Sequence, residues 1–193
     1  MTGMIPDAKP RLSRADLVAR LDAEYPGWKD YPITAVGIRG YYLDSMGKPG
    51  VNDRGVFDDA GFLLTPDVFL AVNFNTDPSK GRPGMATLQP GFYPVYRFDL
   101  HHGKVSTYEA ICQRAGPVTL VRDGAPEVRE VTSKSGINIH RGGFWSTGSE
   151  GCQTVPPSQW DGFYALARSE AIRLWGADWR KKDVLYVLME EKS

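Results

Sequence analysis

The sequence predicts a mainly β domain with some α, an α+β fold in which one substantial helix follows a cysteine-bearing loop. Three observations lead there. Short apolar runs bounded by Gly, Pro, Asn and Asp recur from residue 33 to about 123. Glycine and proline are abundant, 21 and 14 of 193 residues, which suits short strands and many turns. A helical period arises only twice, near the N-terminus and after Cys152. The length suits one domain of ordinary size, and an apolar content of 41% supports a real core. We divide the chain into an N-terminal tail with a short helix, residues 1–30, and a single domain, residues 31–193.

Residues 13–24 form the first expected element, an amphipathic helix. Ser13 suits the N-cap, Asp16 lies in the first turn, and Leu17, Val18 and Leu21 make the apolar stripe. Pro26-Gly27 ends it. Residues 33–42 read as a strand, 44–58 as a polar loop and 61–64 as a short strand before the turn Thr65-Pro66-Asp67. Residues 68–75 carry a strong strand signal, followed by a long Pro/Gly loop over 76–91. Residues 92–100 and 117–122 are further strands, and Cys112 ends a packed strand segment starting at Tyr108. Ile137-Asn138-Ile139-His140 alternates and reads as a strand ending at a loop. Residues 156–175 are helical, with Pro157 in the first turn and Trp160, Phe163, Leu166, Ala167, Ile172 and Trp175 near helical spacing. Gly176 stops that helix, and 184–189 is a final apolar strand. The sum is a small mixed sheet or sandwich with the cysteine loop at a sheet edge.

Lys+Arg and Asp+Glu balance at 23 each, so net charge offers no electrostatic argument for a nucleic-acid partner or an acidic membrane. No apolar run approaches the ~20 residues that span a bilayer. The first ten residues hold Pro6, Asp7 and Pro10 without an apolar core, and so do not read as a secretory signal. A Cys112–Cys152 disulfide would need an oxidising compartment, and Cys112 reads instead as the structural cysteine.

Chemistry concentrates in Ile137-Asn138-Ile139-His140-Arg141-Gly142-Gly143 and Ser149-Glu150-Gly151-Cys152-Gln153. A histidine ends an apolar run, and a cysteine follows twelve positions later across a Gly/Ser-rich loop. That is the raw material of a Cys/His nucleophilic site, with Cys152 as nucleophile and His140 as base. The thiol of such a cysteine is expected to ionise below its ordinary range. Gly151 and the Cys152 backbone are expected to offer N–H donors to an oxyanion. Ser149 is a turn serine or orients His140. Glu150 is a solvated loop acid, or it orients His140 or binds a substrate amine. Arg141 is an ordinary surface arginine or binds a carboxylate, which its planar fork can grip in two places at once. Gln153 is expected to line the pocket, and Trp160 belongs to the helix core. His101, His102, His140 and Asp99 raise a zinc alternative, but adjacent strand histidines point to opposite faces. Asn52, Asp53, Asp58 and Asp59 have loose calcium-loop character, with a solvated loop as the stronger reading. No metal and no cofactor is implied.

These residues resemble the catalytic domain of L,D-transpeptidases, cysteine enzymes of peptidoglycan stem peptides. His140, Ser149, Gly151 and Cys152 match the family's His-Gly, short loop, Ser/Thr-His-Gly-Cys arrangement. The stretch from Lys80-Gly81-Arg82-Pro83-Gly84 to Gly91-Phe92-Tyr93 is similar to the family's Gly-Lys-Pro-Gly to Thr-Gly-x-Phe segment. The likeness covers roughly residues 56–160. Arg141, Glu150 and Gln153-Thr154 depart from the family pattern, and the His-to-Cys loop is shorter than usual. Compact phage-encoded members carry a similar Asn-Ile-His-Arg-Gly-Gly and Ser-Glu-Gly-Cys-Gln-Thr run. The resemblance implies an L,D-transpeptidase-like β-sandwich or mixed sheet. It implies attack by Cys152 on a stem-peptide carbonyl through a thioester, ending in hydrolysis or transfer, as in a phage lysis enzyme. Peptidoglycan stem peptides are the expected partner, reached in the periplasm or wall after export or release. A non-catalytic wall-binding or virion structural module that kept the fold is the alternative. The sequence leaves the oligomeric state open.

Overall fold

The computed structural model describes residues 3–103, 106–131 and 136–191, with residues 126–131 by backbone alone. Met1, Thr2, Lys192 and Ser193, at the ends of the two expected segments, lie outside the described residues. The architecture is α+β, as expected. Helix α1 spans Arg14–Glu24. The strands are β1 (Thr34–Arg39), β2 (Asp59–Leu64), β3 (Phe69–Phe74), β4 (Ala86–Leu88), β5 (Gly91–His102), β6 (Thr107–Gln113), β7 (Val118–Arg122), β8 (Ala125–Val131), β9 (Ile139–Arg141), β10 (Gln153–Val155) and β11 (Val184–Glu190). Helix α2, Pro157–Trp175, stands between β10 and β11.

Eight strands form one sheet in the order β10-β9-β6-β5-β11-β1-β2-β3, and β4-β7-β8 form a smaller one. The last strand is therefore central: β11 runs parallel to β1 and antiparallel to β5. Its unbroken apolar run follows from burial on both faces. Leu185, Val187 and Met189 join Leu17 and Leu21 of α1 on one side. Val184, Tyr186 and Leu188 face a second core, shared with Trp160, Phe163, Ala167 and Ala171 of α2 and with Leu88 and Leu120 of the small sheet. Ser13 caps α1 as expected, its hydroxyl accepting from the Asp16 N–H at 3.1 Å. The two ends of the large sheet also meet, because Asn75 and Thr154 exchange backbone hydrogen bonds at 2.9 Å each way.

Four local expectations change. The loop over 76–91 contains β4, which like β10 has only three residues and is too short to show a period, and the seven-residue β8 is an element the sequence reading did not include. Strand β5 continues to His102. The 44–58 loop stops before β2, and Asp58 and Asp59 are buried rather than solvated. Asp59 accepts from the Gly40 N–H at 2.7 Å and the Thr76 N–H at 2.6 Å, and Arg39 lies 3.6 Å from Asp77. Burial pushes both the Asp58 and Asp59 carboxyls well above the usual carboxylate range. Among the described residues no helix is long and apolar enough to cross a membrane.

Because Leu21 is fully buried between α1 and the sheet, Leu21→Ala should lower the unfolding free energy by about 2–5 kcal/mol. Urea denaturation checks this. A change near zero would mean that α1 does not contribute to the core.

Candidate active site

Three strand pairings bring the site together. Strand β5 pairs β6 with His101 opposite Tyr108, β6 pairs β9 at Ile111 and Ile139, and β9 pairs β10 in parallel. His101, Tyr108 and His140 thereby share one end of the sheet with Cys152, which immediately precedes β10. All four line a cleft of about 580 Å³, within the usual range for small-molecule sites. Lys80, Arg82 and Arg141 lie on its wall, with Glu150 as its only carboxylate among the described residues.

The orientation of His140 is set by the Arg141 backbone together with Tyr108, whose hydroxyl lies 3.1 Å from Nδ1. Its Nδ1 stands 2.8 Å from the Arg141 carbonyl oxygen, which can only accept, so Nδ1 carries the proton and Nε2 keeps a free lone pair. The Tyr108 hydroxyl donates to the same carbonyl at 3.2 Å. Glu150 and Ser149 do not orient His140. Glu150 pairs with Arg82 at 2.5 Å, across the cleft rim. Burial is the main reason that the His140 pKa falls to about 3, with a smaller contribution from His101. The ring is a neutral imidazole throughout the physiological range.

Cys152 is held by the strand beside it. The Asn138 N–H donates to Sγ at 3.4 Å, and the thiol donates to the Gly136 carbonyl at 3.2 Å. No hydrogen bond joins Sγ to His140 among the described residues. The expected lowering of the thiol pKa is not found. Burial pushes it up to about 11, against the partial relief of the Asn138 N–H. The resting pair is thus a thiol and an imidazole, not an ion pair. Both cysteines are free; Cys112 is fully buried and Cys152 partly exposed.

The loop leading to Cys152 is a tight hydroxyl-braced turn. Ser149 Oγ donates to the Cys152 carbonyl at 2.7 Å and accepts from the Gly151 N–H at 2.9 Å. That Gly151 N–H is therefore occupied, a change from its expected oxyanion role. The Cys152 N–H has no partner among the described residues and is the better donor. Gly151 is required sterically: its φ is +143°, and a Cβ there would lie 2.7 Å from the Ala86 Cβ. Ser79 fastens the loop from the other side, donating by its N–H to the Ser149 carbonyl at 2.9 Å and receiving the Ser149 N–H at 2.8 Å.

Two other expectations move. Gln153 is fully buried and does not line the cleft; its amide donates to the Gly151 carbonyl at 3.2 Å and its oxygen accepts from Tyr186 at 3.0 Å. Trp160 lies in the core, as its helical spacing indicates. Arg141 is exposed on the cleft wall, with its guanidinium 5.1 Å from the Tyr108 ring centre. Sequence reasoning did not place Tyr108 in the site, and it named His101 in the zinc alternative. No three His, Cys, Asp or Glu side chains are placed to hold a metal ion among the described residues.

A direct consequence concerns ionisation. The ultraviolet thiolate band of Cys152 should be absent at neutral pH and emerge only as pH approaches its value of about 11. Because His140 is neutral above about 3, His140→Ala should leave the neutral-pH spectrum unchanged. A neutral-pH thiolate that disappears in His140→Ala would instead establish a resting ion pair. No protein-family model matches the chain, and neither a curated protein nor a solved structure is significantly similar to it.

Proposed function

We propose that the protein is a cysteine enzyme of peptidoglycan stem peptides, resembling L,D-transpeptidases and acting as a peptide hydrolase or transpeptidase. The observation that carries this reading is the pairing of a cleft-facing Cys152 with a His140 whose Nε2 lone pair is left free by the Arg141 carbonyl. The cleft's cations support the substrate class, because stem peptides carry several carboxylates and Lys80, Arg82 and Arg141 outnumber Glu150.

In this scheme the Cys152 side chain turns from the Gly136 carbonyl toward the scissile carbonyl. Sγ attacks the carbonyl carbon as its proton passes to His140 Nε2, so the thiolate forms only with the new C–S bond. The Cys152 N–H stabilises the tetrahedral oxyanion. The C–N bond breaks, and His140 returns the proton to the leaving amine, leaving a thioester. Water then attacks with His140 as base for hydrolysis, or an acceptor amine attacks for transfer, and the thiol is restored. The protein would act in the periplasm or wall after export or release.

The parked, high-pKa thiol favours a second reading, a non-catalytic wall-binding or virion structural module. Mass spectrometry of purified peptidoglycan and a soluble tetrapeptide muropeptide separates the two. Wild type should release a residue, cut a crosslink or form a new one, and Cys152→Ala should do none of these while remaining folded. Full activity in Cys152→Ala would overturn the cysteine mechanism, and no product from wild type would favour the binding module.

A further inference from the structure

His101 lies outside the motif around Cys152, yet it is built into the site more firmly than the motif's Glu150 or Arg141. Its ring stacks on His140 with centroids 4.1 Å apart and planes 13° from parallel. Tyr108 meets the same ring edge-on at 5.4 Å. Its Nδ1 is 2.9 Å from the side-chain amide nitrogen of Asn138.

The orientation of that amide is unambiguous. The Asn138 Oδ1 accepts a backbone hydrogen bond from the Gln113 N–H at 3.0 Å, so the NH₂ must be the group turned toward His101. An amide donor at Nδ1 requires a bare lone pair there, which puts the His101 proton on Nε2 and opposes a second one. Burial, Arg114 and His102 act in the same direction. Among the described residues, the other titratable and charged groups lining the cleft around this ring pair are Tyr108 from β6, Arg141 beside His140, Cys152, and Lys80, Arg82 and Glu150 at the rim.

Two stacked imidazoles at this distance cannot both hold a charge cheaply: a charged His101 would lower the His140 pKa further, whereas a neutral ring beneath an imidazolium is a favourable partner. Asn138 selects which ring remains neutral. Its backbone N–H meanwhile points to the Cys152 sulfur, so one residue serves the thiol and, through His101, the base.

We propose that His101 is a positioning residue. Locked as a neutral ring by Asn138, it carries His140 as that imidazole takes the Cys152 proton and returns it. The inference rests on the Cys152–His140 reading but is tested on the thiol itself, without any wall substrate. A failure of the peptidoglycan assignment therefore leaves it testable.

The experiment is alkylation of Cys152 by iodoacetamide across pH, followed by mass spectrometry, in wild type, His101→Ala, His101→Phe, His140→Ala and the His101→Ala/His140→Ala double variant. Near neutral pH, His101→Ala should slow the reaction by about tenfold, the scale of a desolvated cation–π contact. His101→Phe should restore most of that rate, since it keeps an aromatic face. In the His140→Ala background, His101→Ala should add nothing, because the two act as one unit. Equal slowing with and without His140 would reduce His101 to a structural role and overturn the proposal, as would an unchanged rate in folded His101→Ala. If His101→Ala fails to fold, ring-nitrogen NMR of the wild type decides the matter. His101 should hold its proton on Nε2 and His140 on Nδ1 at neutral pH; a His101 proton on Nδ1 would overturn it.

Discussion

The site depends on a short parallel pairing between β9 and β10. Parallel strands ordinarily need a connection of about a dozen residues or more, commonly with a helix in it. Here residues 142–152 must make the return without one, and they end at Cys152. The turn closes because Gly148 and Gly151 take positive φ and the Ser149 hydroxyl ties the last residues together. Once Gln153 is paired with Ile139, Cys152 has little choice but to sit against Asn138. The place of Cys152 in the cleft follows from that register.

The same closeness sets the electrostatics. A sulfur and an imidazole packed among buried strands lose water, and loss of water favours the uncharged form of each. The result is two neutral groups, a thiol and an imidazole, side by side in one cleft. On the far side of the loop Arg39, Asp59 and Asp77 form a buried polar cluster with Thr76. Its backbone continues to Ser79, which clamps the Ser149 turn. The loop that leads to Cys152 is therefore held by a polar network rather than by apolar packing alone.

Much of the fold was legible in the sequence where a residue's role is local. The Ser13 cap, the α2 stripe and the apolar run of β11 follow from helical spacing, capping chemistry and strand propensity. Cys152 and His140 were legible because a polar Gly/Ser context around a cysteine is unlike a core. What escaped was non-local. His101 and Tyr108 reach the cleft only through the β5–β6–β9 pairing, and no spacing in the chain announces that register. Gln153 had the polarity of a cleft residue, but strand alternation turned it inward to Tyr186. Asp58 and Asp59 had the polarity of a loop, yet the start of β2 carried them into the interior. In each case the residue type was read correctly and its facing was decided by a partner strand far away in sequence.

Closure of the large sheet carries one more consequence. A sheet with free ends presents rows of unpaired amides that another chain can extend. In this protein β10 and the residue after β3 join at Asn75 and Thr154, and the outward Asn73 N–H is taken by the Gln159 side chain of α2 at 2.9 Å. The helix that follows the Cys152 loop thus also guards the opposite margin of the sheet, protecting the fold from strand-by-strand aggregation when the chain is crowded.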